Sequence, residues 1–390
     1  RGSPEMFLYP NEFSFWQPAD CIAIMKLLAL KMTGHIDAEV TYAMALLSEN
    51  NYEMISALLP DAPSKSLTII KSLQKDLSNL PPSLILNTEK KSLSLFNLPS
   101  WEFAGASNVF GATRERSATN GSLMANDTHF ELSAPSIFYL ARLQLESGGV
   151  IGASIPGTPI ILSGRNEKLA WGYTASYLDD QDIFMEEQNL SNLQLYRTEQ
   201  GWEKFKIDKQ YIKVKNSPDI EIQRKWTRNG PVLPKTAHNL ISITPKHHVA
   251  ALSWTALTST DTTVSAAIDL MFSQKVENGL AALESFHAPS LNFLLVDKEK
   301  IVIKTVGKMP KRSPLNETQG RMPSLGWKPE NNWRGYWGYE VNPMIKSSPG
   351  DVLANTNNKI SDESFPKHVS HFWGDTQRIL RLQKLMQSRE

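Results

Sequence analysis

Ser107, Asn126 and His129 fall within one short stretch, FAGASNVFGATRERSATNGSLMANDTHF, residues 103–130. A serine hydroxyl attacks a carbonyl only when a base takes its proton, and no Ser-His-Asp arrangement is legible around Ser107. The chain holds no Gly-x-Ser-x-Gly elbow. One base needs no positioning by a neighbouring element. It is the serine's own α-amino group, whose ordinary pKa of about 7.7–8.0 lies near working pH. That solution requires the peptide bond before Ser107 to be cut. Without the cut, Ser107 reads as a strand-start serine and His129 as a hairpin histidine.

Other chemistries are poorly supplied. Cys21 is the one cysteine and sits on an apolar helical stripe, so it reads as a small buried hydrophobe, with no disulfide and no thiolate metal site. There is no His-Glu-x-x-His, no GxGxxG and no phosphate-binding GxxxxGK[ST]. His247 and His248 follow Thr-Pro-Lys and read as a turn. His368 and His371, at i and i+3, could share a helix face, but no third metal ligand accompanies them in sequence.

The elements that must position Ser107 come in a clear order. Residues 18–58 read as helical: Pro18 suits a first helical position, and Cys21, Ile24, Met25, Leu28 and Met32 make a 3.6-residue stripe. Two prolines in LPDAPSKS break this run, and a Lys/Ser/Leu-rich spacer follows to about Ser100. From Ser107 short β-like runs dominate. The segments 210–226 and 291–307 read as hairpins, the second turning at Asp297 to Lys300. Two helices lie between them, with Asp261 as the expected N-cap of the first, and a helix runs to the C-terminus. Helices, then strands, a helix pair and strands again argue for an α+β protein with large sheets covered by helices. Net charge is +1, with 21% charged residues, which gives no electrostatic reason to expect nucleic acid or an anionic membrane. No apolar run is long enough to span a bilayer.

The pieces from Ser107 onwards also carry a resemblance. Ser-Asn-x-aromatic (107–110), Asn-Asp-x-His (126–129), Pro-Gly-x-Pro (156–159), Gly-x-Asn (164–166) and Ala-Trp-Gly (170–172) resemble, in order and spacing, the β-chain start of penicillin acylase-family enzymes. NGPVL, ALSWTAL, NFLLVDKEKIVIKTVGKMPKR and NPMIKSSPGDVLANTNNKI continue the likeness, and WQPADCIAIMKLLALKM resembles the end of the family's α-chain. The resemblance implies an N-terminal nucleophile hydrolase, a four-layer αββα sandwich made from a precursor that cuts itself. Residues 1–60 would then be α-chain, 61–106 the spacer and 107–390 a C-terminally truncated β-chain. The implied cut is Ala106–Ser107, with alanine where family members usually carry glycine.

By the same resemblance Ser107 is the nucleophile, Asn108 holds the strand start, and His129 lies beside the nucleophile and orients it. The oxyanion hole is expected from the Ala175 N–H and the Asn357 side chain, with Asn355 and Asn358 as competitors and Arg378 in support. Phe130 and Ser163 are expected to line the acyl pocket; the serine leaves room for a longer chain. No cofactor is required, but a structural calcium could sit on Asp179, the Gln181 carbonyl and Asp182. Lys367, standing where some members have aspartate, opposes that cation. The implied activity is hydrolysis of an N-acyl amide: a β-lactam side chain, an N-acyl homoserine lactone or a similar compound. The implied assembly is an α/β heterodimer from one zymogen, periplasmic or extracellular. An uncut relative that binds acyl compounds without turnover is the alternative, and a non-enzymatic β-rich module a more distant one.

Overall fold

The computed structural model describes residues 15–49, 66–70, 106–130, 133–134, 136–146, 148–362, 364–374 and 376–387. The helix expected over 51–59 and most of the expected spacer lie outside these residues. The chain opens with α1 (Pro18–Met32) and α2 (His35–Glu49). Then follow β1 (Ile69–Ile70), β2 (Ala106–Ala112), β3 (Leu123–His129), β4 (Tyr139–Leu145), β5 (Gly148–Ser154), β6 (Ser163–Arg165) and β7 (Ala170–Ala175). Next come β8 (Gln181–Asn189), β9 (Asn192–Thr198), β10 (Gly201–Lys204), β11 (Lys206–Ile212), β12 (Ile220–Thr227), β13 (Gly230–Pro231) and β14 (His248–Trp254). The helix pair α3 (Thr263–Phe272) and α4 (Val276–Leu283) precedes β15 (Leu291–Val296), β16 (Ile301–Val306), β17 (Ser324–Leu325), β18 (Met344–Lys346), β19 (Val352–Asn355) and α5 (Gln377–Gln387).

Two antiparallel sheets face each other. One has the order β1-β19-β2-β3, the other β18-β16-β15-β7-β6-β5-β4. β2 and β3 lie on β7 and β15. Strand alternation decides which residue goes where. In β15, Leu294 and Val296 join Val109, Ile301, Ile303 and Leu353 between the sheets. Leu291, Phe293 and Leu295 turn the other way, onto Ala266, Leu270 and Phe286 of the helix-pair layer. Both faces of β15 and β16 are therefore covered, so every residue of LNFLLV and IVIKTV is buried, including Asn292, Lys304 and Thr305. α5 closes the outer face of the four-stranded sheet with Ile379, Leu382 and Met386 on Val352, Ala354 and Phe110. The layers are helix, sheet, sheet, helix.

The second arm consists of β10-β9-β8-β14 and the ribbon β11-β12-β13. α2 packs Ile36 and Val40 on Ile183 and Met185 of β8. Pro18 opens α1, and the Asp20 carboxylate accepts the Gln17 N–H at 2.7 Å. Both expected hairpins are present, and Asp297 N–H donates to Lys300 O (3.0 Å) in the second turn.

Within the expected spacer, Ile69 and Ile70 pair with Leu353 and Val352, adding an edge to the sheet that carries Ser107. Two local expectations need correcting. α3 takes Thr262 as its N-cap, and Asp261, one residue earlier, accepts the Thr263 N–H at 2.9 Å while pairing with Lys26. His368 and His371 lie in irregular chain rather than on a helix. Among the described residues no helix is long and apolar enough to cross a membrane.

Candidate active site

Ser107 is the second residue of β2 and is 3% exposed. Ser107, Val109 and Gly111 face the seven-stranded sheet, and Asn108 and Phe110 face α5. The strand thus places the serine between the sheets. Asn357 comes to it from the turn after β19. Its Oδ1 accepts the Ser107 N–H at 2.8 Å, and its Nδ2 donates to the Ala175 carbonyl at 3.1 Å. Arg378, in the first turn of α5, donates from Nη1 to the Ser107 carbonyl (2.9 Å) and to Asn108 Oδ1 (3.1 Å). Its Nη2 donates to Asn357 Oδ1 (3.1 Å). Ser107, Ala175, Asn357 and Arg378, spread over 272 positions of sequence, are thus joined by direct hydrogen bonds.

The three asparagines of NTNN divide their roles. Asn357 has φ of 69°, a left-handed conformation that asparagine tolerates better than most residues. The turn is fixed by the Asn357 N–H donating to Asn355 Oδ1 (3.0 Å) and the Gly374 N–H donating to the Asn357 carbonyl (3.0 Å). Asn355 Oδ1 also accepts the Thr174 hydroxyl at 2.6 Å, and Asn358 Oδ1 accepts the Thr356 N–H at 2.9 Å. Asn355 and Asn358 therefore hold the turn that aims Asn357.

His129 occupies a different place from the one expected. In the β2–β3 register it pairs with Ala106, and Ser107 pairs with Thr128. His129 Nε2 lies 2.6 Å from Asp127 Oδ2 and 3.2 Å from Asn108 Nδ2. The period of two puts Asp127 and His129 on the Asn108 face and Asn126 and Thr128 on the Ser107 face. His129 thus reaches the serine through Asn108.

Asn126 was quoted with the motif but given no role by sequence. It pins the two sheets together at the site. Its Nδ2 donates to the Asn108 and Tyr173 carbonyls, both at 2.9 Å, and its Oδ1 accepts the Tyr173 N–H at 3.1 Å. Gly172 permits this approach: a Cβ there would stand 2.8 Å from Asn126 Cβ. Ser163 donates its hydroxyl to Asn126 Oδ1 at 2.7 Å, so it braces the pin rather than simply leaving space. Phe130 meets Phe138 edge to face, with ring centroids 5.3 Å apart, on the rim of the main core.

A family model for penicillin amidase matches residues 2–390. The chain belongs to the penicillin amidase family. It is 26% identical over 376 residues to an acyl-homoserine lactone acylase QuiP of Pseudomonas fluorescens, covering 95% of this chain and 45% of that protein. It is 23% identical over 368 residues to the penicillin acylase 2 proenzyme of Pseudomonas sp. SE83, covering 91% and 45%. The chain spans less than half the length of these relatives. A thermostable penicillin G acylase from Alcaligenes faecalis superposes with a TM-score of 0.62 at 21% identity, over 72% of this chain and 49% of that one. That likeness carries the fold, the helix–sheet–sheet–helix sandwich described above.

The acidic run that this family resemblance offered to calcium does converge. Asp179, the Gln181 carbonyl and Asp182 meet, but the buried Arg312 guanidinium lies among them, 2.8 Å from Asp182 Oδ1 and 3.0 Å from Asp179 Oδ1. This set of oxygens, already paired with a fixed guanidinium charge, does not fit a divalent ion. Lys367 places its ammonium 3.9 Å from the centre of the Trp337 ring, so the cation among the acids is Arg312. Burial pushes the Asp179 carboxyl up, but Arg312 and His368 outweigh it and hold it well below the usual range. Asp179, His368 and His371 place their ligand atoms within 4.8 Å of one another. The third partner that sequence lacked is therefore Asp179, from 189 positions earlier in the chain. Yet Arg321 Nε donates to His371 Nδ1 at 3.3 Å and His371 Nε2 lies 3.1 Å from the Gln319 carbonyl, so both ring nitrogens are engaged.

Asp180, beside this cluster, gives a pH prediction. Burial, then the Asp179 charge, push its carboxyl up to about 7. The unfolded value is about 3.9, so between the two values the folded state keeps a proton that the unfolded state has lost. Stability is therefore full below about pH 4 and falls as pH rises towards 7, by about 4 kcal/mol in all at about 1.4 kcal/mol per unit. Asp180→Asn should be more stable than the parent at pH 8, with the difference gone by pH 4. Urea midpoints at the two pH values check this; an unchanged difference would contradict it.

Proposed function

We propose that this chain forms the catalytic centre of an N-acyl amide hydrolase, with Ser107 as nucleophile after cleavage of the Ala106–Ser107 bond. The observation that carries the reading is the grip on Ser107 N by Asn357 Oδ1. As a peptide nitrogen it has one N–H and no basic lone pair. Cleavage would turn it into an amine that can keep the N–H donated to Asn357 and use its lone pair for the Oγ proton. The Arg378 cation, bonded to the same carbonyl and to Asn357, disfavours a second positive charge there and keeps the amine unprotonated near neutral pH.

In this reading Ser107 Oγ attacks the acyl carbonyl as its proton passes to the α-amine. The oxyanion is met by Asn357 Nδ2, which turns from the Ala175 carbonyl, and by the Ala175 N–H. The C–N bond breaks, the amine leaves with the proton, and an ester joins the acyl group to Oγ. Water repeats the sequence and frees the acid and the serine. Self-cleavage would give an α/β heterodimer. His129, across from Ala106, would then border the new chain end through Asn108.

The Phe130–Phe138 pair supports an apolar acyl group, and the likeness to acyl-homoserine lactone acylases favours an N-acyl homoserine lactone over a β-lactam side chain. A panel of N-acyl homoserine lactones of increasing chain length, run beside phenylacetyl and glutaryl amides, tests this by amine release. Turnover of the lactones with the highest kcat/KM is expected. Cleaved protein that hydrolyses none of the panel would contradict the reading. An uncut chain that binds them without turnover would establish the inactive alternative.

A further inference from the structure

The acidic pocket beneath the β7–β8 connection contains its own cation. We propose that Arg312 is a covalently tethered replacement for a structural divalent ion, occupying the whole ligand set that the family resemblance assigns to calcium. Asp182 and the Asp179 and Gln181 carbonyls accept from the same guanidinium, and the Asp179 carboxylate pairs with it. Nε donates to Asp182 Oδ1 (3.2 Å) and Oδ2 (3.0 Å), and Nη2 donates to Asp182 Oδ1 (2.8 Å). Nη2 also reaches the Asp179 carbonyl (3.2 Å), the Gln181 carbonyl (3.5 Å) and Asp179 Oδ1 (3.0 Å). The carboxylate oxygens left over are engaged too. Asp179 Oδ2 lies 2.7 Å from His368 Nε2, and Asp182 Oδ2 accepts the Trp333 indole N–H.

A calcium ion needs six to eight oxygens at about 2.3–2.6 Å with their lone pairs directed at it. Here Asp182 and both carbonyls already accept from N–H groups, and a divalent ion would stand against a fixed positive charge. A planar fork of donors suits the task, because it pairs with two carboxylates and reaches two carbonyls from one side chain. The pocket is also closed around the guanidinium. Gly320, at φ of 82°, brings bare backbone so close that a Cβ would lie 2.7 Å from Asp179 Oδ2 and 2.8 Å from both Arg312 Nε and Asp182 Oδ1. Glu39 of α2 approaches from the other side, with both carboxylate oxygens 3.2 Å from the Ile183 N–H. Arg312 thus ties the chain after β7 to the loop before β17, while Glu39 holds α2 to the neighbouring Ile183 N–H.

Thermal unfolding tests this independently of catalysis. The protein as it stands should show the same Tm, within about 1 °C, in EDTA, in 10 mM calcium and in 0.1 mM zinc. An ion bound at one hundredth of its added concentration would contribute about 2.7 kcal/mol and move Tm by several degrees. Arg312→Ala removes the guanidinium and leaves the oxygens. Its Tm should fall well below the parent's in EDTA and rise by several degrees in calcium. A parent Tm that drops in EDTA, or rises in calcium or zinc, would overturn the proposal. So would an Arg312→Ala protein that is folded but indifferent to calcium. If that variant does not fold, Arg312→Gln removes the charge but keeps a polar side chain, and should be destabilised yet gain stability in calcium. A folded, calcium-indifferent glutamine variant would count against the proposal in the same way.

Discussion

Ser107→Ala is expected to remove amide turnover and to leave the chain uncut at position 106. In the proposed chemistry the same hydroxyl opens its own peptide bond and later attacks substrate, so one oxygen controls both events. Removing a nucleophile of this kind costs about 10⁴-fold or more in kcat, since positioning and oxyanion donors alone sustain little. The backbone bonds from Ser107 N to Asn357 and from Arg378 to the Ser107 carbonyl do not involve the hydroxyl, so the fold should survive. Gel mobility and a sensitive amine-release assay on the same preparation check this. Turnover within tenfold of the parent's would show that the hydroxyl is not the nucleophile.

Asn357 carries the second large effect. Loss of one oxyanion donor commonly costs about 10²–10³ in kcat, or about 3–4 kcal/mol. Alanine is an imperfect probe here: at φ of 69° it carries a backbone penalty of about 1–2 kcal/mol that asparagine largely avoids. Asn357→Asp is the cleaner change. It keeps an acceptor for the Ser107 N–H and for Arg378, tolerates the left-handed turn, and replaces the Nδ2 donor with an oxygen. The expected result is a folded protein with kcat lower by about 10²–10³ or more, because a carboxylate repels the developing oxyanion. A near-parental kcat with an intact fold would place the oxyanion elsewhere.

The sequence was readable where one residue type and one period dominate. LNFLLVDKEKIVIKTVG reads as a hairpin turning at Asp297 to Lys300, and β15 and β16 pair as that reading expects. The site was legible through an ordered set of short motifs, and Ser107, Ala175, Asn357 and Arg378 do meet. What escaped depended on contacts between distant segments. Arg312 lies 130 positions from Asp182, and nothing in KRSPLN signals that its guanidinium enters LDDQDIF. Asn126 bridges two sheets whose facing strands have no sequence relation. The choice among three asparagines needed the turn geometry of residues 355–358. The facing of His129 was within reach, since counting by two along β3 separates it from the Ser107 side once the β2–β3 register is assumed.

The most direct test is the intact mass, under denaturing conditions, of protein shown to hydrolyse an N-acyl amide. Two chains are expected, the later one beginning at Ser107 with a free, unblocked amine. A fully active preparation in which the Ala106–Ser107 bond is still joined, or in which the later chain begins at any other residue, would contradict the proposal that this serine's own amine is the catalytic base.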